Sequence, residues 1–61
     1  MKKGDFERRL RRLGWWKAKE GANHEKWTNG ELMTTVPRHR EINQFTAAGI
    51  LRIASEHRGK R

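Results

Sequence analysis

Three histidines, His24, His39 and His57, stand among fifteen Lys and Arg. Histidine is the residue type whose ordinary titration lies near neutrality, so it can take or give a proton under mild conditions. That pairing of types suits the cleavage of RNA. RNA carries its own nucleophile, the 2′-hydroxyl, and a catalyst must supply mainly a base and cations for the charge that develops on the phosphate. Of the three histidines, only His24 stands at a predicted hairpin start, on the face expected to be open; taken from spacing alone it is an ordinary exposed strand residue. Lys26 lies two residues along on the same side of a predicted strand, and Lys17, Lys19, Arg38 and Arg40 are further candidates for the cationic role. His39, between Arg38 and Arg40, reads as a phosphate contact or a solvated loop residue. His57 falls near a predicted helix C-terminus, where the helix dipole alone accounts for an imidazole. Each of these cations, taken singly, is more often a solvated surface charge, and a lone exposed histidine is more often only that.

Other chemistries fit less well. The seven Asp and Glu are scattered along the chain with no evident reason for any pair to converge, so metal-dependent cleavage and a bound metal are not expected. The absence of Cys excludes disulfides and thiolate metal sites, as suits a reducing compartment. A chain of 61 residues makes one domain and hides only about 60% of the surface its unfolded form exposes, which leaves no room for a deep cofactor cleft. No cofactor is expected. The formal charge of +8 favours anionic partners, nucleic acid first. A membrane is not expected, because the only apolar residues beside the basic stretch 8–12 are Phe6, Leu10 and Leu13, which read as core. No apolar run of about 7–15 residues follows Met1-Lys2-Lys3, so a secretory signal is not expected and a cytoplasmic location is.

The elements that must position these groups follow from spacing. Phe6, Leu10 and Leu13 recur at four and three residues, predicting a helix from about Asp5 to Leu13 with Glu7 placed to pair with Arg11 and Gly14 closing the end in the left-handed conformation. Trp15 to Glu20 has strand composition. Two adjacent Trp cannot face the same side, so one of Trp15 and Trp16 belongs to the core and the other is available for stacking on a base or for covering a sheet edge. Gly21-Ala22-Asn23 reads as a turn.

His24 to Thr28 and Glu31 to Val36 flank Asn29-Gly30, a strong hairpin signal. A two-residue turn there would set Thr28 opposite Glu31, Trp27 opposite Leu32, Lys26 opposite Met33 and His24 opposite Thr35. Alternation then places Trp27, Leu32 and Val36 toward the helices, and His24, Lys26, Thr28, Met33 and Thr35 on the open face. Pro37 ends the third strand. Ala47, Ile50, Leu51 and Ala54 mark the inner face of a second helix, with Asn43 as N-cap and Gly59 beyond the end. Gly49 inside that helix costs about 1 kcal/mol relative to Ala unless close packing offsets it. The expected fold is α+β, in the order helix, three antiparallel strands, helix, with both helices on one face of the sheet. That is the topology of double-stranded RNA-binding domains.

Gly14-Trp15, Gly21-Ala22-Asn23-His24, Trp27, Val36-Pro37-Arg38-His39, Glu41-Ile42 and Thr46 together resemble the HicA family of bacterial toxins. Those proteins have an aromatic after the first helix, a Gly-Ser-His motif opening the second strand and a Val-Pro-x-His segment closing the third. The resemblance runs from about Phe6 to Ala54, with Ala22-Asn23 standing where the family usually has Gly-Ser. It implies a metal-independent endoribonuclease that cleaves messenger RNA, silenced by a HicB-type antitoxin, and it matches His24 to the family's catalytic histidine. Lys17, Lys19, Lys26, Arg38, His39 and Arg40 are the expected RNA-binding residues. Charge and fold also suit a non-catalytic module of the double-stranded RNA-binding type, or a basic structural protein of a ribosome or nucleoprotein.

Overall fold

The computed structural model describes residues 1–59. Helix α1 spans Lys3–Arg12, strands β1, β2 and β3 span Trp16–Glu20, His24–Thr28 and Met33–Pro37, and helix α2 spans Gln44–Glu56. The strands form one antiparallel sheet in the order β1-β2-β3. One core joins Phe6 and Leu10 of α1, Ala47 and Ala54 of α2, Trp15, Ile42, and Trp27 and Val36 of the sheet. Both helices therefore cover the same side of the sheet, as the pattern of the sequence predicts.

Helix α1 buries Phe6 and Leu10 and keeps Arg8, Arg9, Arg11 and Arg12 outside. It begins two residues before the predicted start. The expected Glu7–Arg11 pair is not formed. Glu7 instead lies 3.8 Å from Lys3 and 3.9 Å from Lys17, while the Arg11 guanidinium sits 5.3 Å from the centre of the Trp27 ring. The ring face offers a cation an attraction at least as large as that of an exposed helical ion pair, and Lys17 reaches Glu7 from the sheet.

Gly14 adopts φ 85, and its neighbour in space explains why no larger residue fits: a Cβ there would lie 2.8 Å from the Gly59 carbonyl oxygen. The Gly59 amide donates to the Leu13 carbonyl at 2.9 Å, so the end of α2 is fastened across the end of α1. Trp15 is the buried member of the tryptophan pair. Its indole N–H is shared between the carbonyls of Ala54 and His57, at 3.2 and 2.9 Å, and the side-chain amide Nδ2 of Asn29 donates to the His57 carbonyl at 2.8 Å. These two side chains satisfy carbonyls that the end of a helix leaves without partners. At the other end Asn43 caps α2, its side chain accepting from the amides of Phe45 and Thr46. A Cβ on Gly49 would meet nothing within 4 Å, so packing within the chain does not offset the cost of that glycine.

The β2–β3 connection corrects the expected register. It is a four-residue loop, 29–32, and Thr28 pairs with Met33, Trp27 with Thr34, Lys26 with Thr35, Glu25 with Val36 and His24 with Pro37. The cause is local. The side-chain oxygen Oδ1 of Asn29 accepts from the amides of Glu31 and Leu32 at 2.8 and 2.7 Å, and the Thr28 hydroxyl donates to the Leu32 carbonyl at 2.6 Å. An asparagine that folds the chain onto its own side chain makes a wider turn than two residues allow. Because the register moves by two, every other side chain keeps its predicted face. Leu32 alone changes: it leaves the ladder and is exposed. Among the described residues, no helix is long and apolar enough to cross a membrane.

Candidate functional site

His24 opens the central strand β2, and its side chain stands on the uncovered face of the sheet, exposed. Three backbone features hold it there. The Gly21 amide donates to the His24 carbonyl at 2.8 Å, the Arg38 amide donates to the Asn23 carbonyl at 3.2 Å, and His24 pairs with Pro37 on β3. Lys26 follows two residues on, about 7 Å along the strand by the rise of extended chain. Strand β1 carries an irregularity between Lys17 and Lys19 that brings Lys19 directly opposite Lys26. Like charges facing each other across strands are unfavourable. Neither lysine forms an ion pair with a described carboxylate, and by register no strand sends a carboxylate to this face, since Glu20 and Glu25 oppose each other on the covered side. An anion laid across β1 and β2 beside His24 would relieve that repulsion.

Trp16 is the outward tryptophan. It pairs with Thr28 and is half-buried, and its ring reaches the turn, where a Cβ on Gly30 would lie 3.5 Å from it. Four residues of strand, about 13 Å, separate that end of the face from His24. His39 and Arg40 are exposed in the loop between β3 and α2. That loop is fixed to the N-terminal segment by the Lys3 amide, which donates to the Arg40 carbonyl at 2.8 Å, and by a bridge between Lys2 and Glu41.

Two of the predicted RNA contacts lie elsewhere. Lys17 pairs with Trp27 in the ladder and points to the covered side, where its ammonium lies 3.3 Å from Glu20, 3.4 Å from Glu25 and 3.9 Å from Glu7. Arg38 donates to the Gly21 carbonyl at 2.7 Å and approaches Glu20 and Glu25 at 3.9 and 4.0 Å. Three carboxylates thus converge around Lys17, against the expectation that they stay scattered. The ammonium stands between them, and among the described residues no group of three or more His, Asp or Glu is arranged to hold a metal ion.

Glu25 is the centre of this network and the buried charged residue of the core side. It accepts from the Trp27 indole at 3.1 Å and from Lys3 at 3.1 Å. Burial pushes its carboxyl up, but the Trp27 hydrogen bond and the hydrogen bond and charge of Lys3, with Lys17, outweigh burial and hold it below the ordinary carboxylate value. Burial likewise opposes the charge on Lys17, and Glu20 and Glu25 more than offset it, raising the ammonium above its ordinary value. The sequence carries a signal for this site in its alternation. Glu25 has the same strand parity as Trp27, which puts a carboxylate in the core and requires partners for it.

A second cationic surface, made of residues outside the expected RNA contacts, lies in the helix layer. Lys2, Arg8, Arg9 and Arg12, with Asp5, Met1 and Gln44, line an open cavity of about 410 Å³ between α1 and the start of α2. Arg8 is 3.6 Å from Asp5. The i, i+1, i+4 spacing of Arg8, Arg9 and Arg12 places them on one flank of α1, a pattern visible without coordinates.

Compared with models of known protein families, with curated proteins and with solved structures, the chain finds no match in any of the three.

Proposed function

We propose that the chain is a ribonuclease toxin of the HicA type, acting on messenger RNA with His24 as its base. The observation that carries this reading is the open face itself: an exposed histidine beside two lysines that face each other with no carboxylate among them. In the reaction His24 takes the proton of a 2′-hydroxyl. The 2′-oxygen bonds to phosphorus, the bond from phosphorus to the 5′-oxygen breaks, and the departing oxygen takes up a proton. Lys19 and Lys26 meet the charge that builds on the phosphate. His39 and Arg40, exposed in the loop after β3, are further phosphate contacts under this reading.

The test is cleavage of single-stranded RNA by the purified protein without added metal. The expected products end in a 2′,3′-cyclic phosphate and a 5′-hydroxyl, and His24→Ala removes them while RNA affinity persists. Cleavage of a substrate with a 2′-deoxy sugar at the scissile position, or full inhibition by a chelator, would defeat the mechanism. Such an activity in the cytoplasm needs restraint, and a HicB-type antitoxin with an acidic surface suits the exposed basic face. In that complex His24 and Lys26 become protected from solvent. Exchange or crosslinking data that leave both accessible in an inactive complex would count against direct blocking.

The helix-side groove supports a second reading, a non-catalytic RNA-binding module that holds phosphates with Lys2, Arg8, Arg9 and Arg12. Replacing Arg9 and Arg12 by Gln separates the two. Under the first reading cleavage survives; under the second, RNA binding falls and no variant cleaves.

A further inference from the structure

The turn that presents His24 is held from below by one side chain. Arg38 Nη1 donates to the Gly21 carbonyl at 2.7 Å, and the Gly21 amide donates to the His24 carbonyl at 2.8 Å, so a short chain of bonds runs from the guanidinium to His24. A Cβ on Gly21 would lie 2.9 Å from the His24 carbonyl oxygen, which shows how closely the turn is drawn in. The rest of the guanidinium faces carboxylates: Nη2 is 3.9 Å from Glu20 and Nε 4.0 Å from Glu25. Glu25 is itself immobilised by Lys3, Lys17 and the Trp27 indole at 3.1, 3.4 and 3.1 Å. A planar fork with donors on three edges can span a carbonyl and two carboxylates at once, which a lysine ammonium on a flexible stem cannot.

We infer that Arg38 is a positioning residue for His24: anchored by Glu25 and Glu20, its guanidinium locks the Gly21–His24 turn and sets where the imidazole stands, instead of contacting RNA. This rests on the reading of His24 as the base. It reassigns Arg38 from binding to geometry and gives the buried carboxylate Glu25 a part in the same site.

The experiment compares Arg38→Lys, Arg38→Gln and Glu25→Gln in the full chain, reading kcat, KM, the salt dependence of RNA binding, and hydrogen exchange at the amides of Gly21 and Arg38. Arg38 is 42% exposed in its side chain, so its variants are expected to fold, which keeps the test valid if Glu25→Gln does not. Arg38→Lys is expected to lower kcat on the order of tenfold to a hundredfold, the scale of an ångström-sized misplacement, with KM and salt slope unchanged and both amides exchanging faster. The conservative charge does not rescue. Wild-type kcat in Arg38→Lys, with a raised KM and a salt slope smaller by about 0.7 in Arg38→Gln, would make Arg38 a phosphate contact and overturn the inference. If the wild-type protein cleaves no RNA, it is the His24 reading that has failed, and the amides alone decide. Faster exchange at Gly21 in Arg38→Lys, at an unchanged melting temperature, upholds the lock, and unchanged exchange removes it.

Discussion

His24 and Glu25 are consecutive in the chain and stand on opposite sides of the same sheet, and almost every physical property of the two differs. On the open side His24 is exposed, its neighbours Lys19 and Lys26 are unpaired, and no strand supplies an opposite charge. On the covered side Glu25 is buried and meets Lys3, Lys17, Arg38 and an indole N–H. The difference teaches how a small core can carry a site. Charges that must be desolvated are matched one against another beneath the sheet, where they hold four segments together. Charges left unmatched above the sheet are exposed to water, which weakens their mutual repulsion without removing it, so they remain open to an anion. Net charge alone does not distinguish these groups, since Lys17 and Lys19, two residues apart, belong to different sides.

Replacing residues on each side in turn tests that division. The largest effect is expected at Trp27, fully buried and bonded to Glu25 through its indole. Trp27→Ala should lose about 3–5 kcal/mol, enough to unfold much of a domain this size at ambient temperature. Chemical denaturation followed by circular dichroism measures it. A variant that melts like the wild type would mean that the two faces are exchanged.

Glu25→Gln comes next. The amide can still accept from the Trp27 indole, while Lys3 and Lys17, both partly exposed, recover water, so the expected loss is about 1.5–3 kcal/mol, the worth of a hydrogen bond to a charged group. Its pH dependence has a definite sign. The folded carboxyl lies below its ordinary value of 4.5, so its contribution is fully present above that value and is lost as pH falls toward the folded pKa. The wild-type and Glu25→Gln stabilities should therefore begin to converge only as pH falls below about 4.5. Curves that stay parallel through that range would show that the charge of Glu25 does not stabilise the fold.

The smallest effect on stability belongs to His24. His24→Ala should change it by no more than about 0.5 kcal/mol, as surface substitutions do, even though it is expected to end cleavage. A larger loss in thermal melts would mean that the imidazole has structural partners on the open face.

Much of this arrangement is legible in the residues. The helix spacing of Phe6 and Leu10, the Asn43 cap, the breaks at Gly14 and Pro37, and the alternation that exposes His24 and Lys26 depend on chain-local geometry, and each appears where the sequence predicts it. The register of the hairpin was partly legible. Asn29-Gly30 marks its place, but the hydrogen bonds of Thr28 and Asn29 widen the turn to four residues, and only the even shift preserved the faces.

By itself, then, the sequence determined the order of elements, the exposed position of His24 and the excess of cations, because helix period, strand alternation and charge are properties of neighbouring residues. Tertiary structure decided which tryptophan is buried, since Trp15 is the one whose indole reaches the carbonyls of Ala54 and His57. It also decided which cations are free: Lys17 and Arg38 are claimed by Glu25, while Lys19 and Lys26 are not. Those outcomes depend on where segments far apart in the chain meet, and a charge is available to a ligand only when no partner from another segment has already met it.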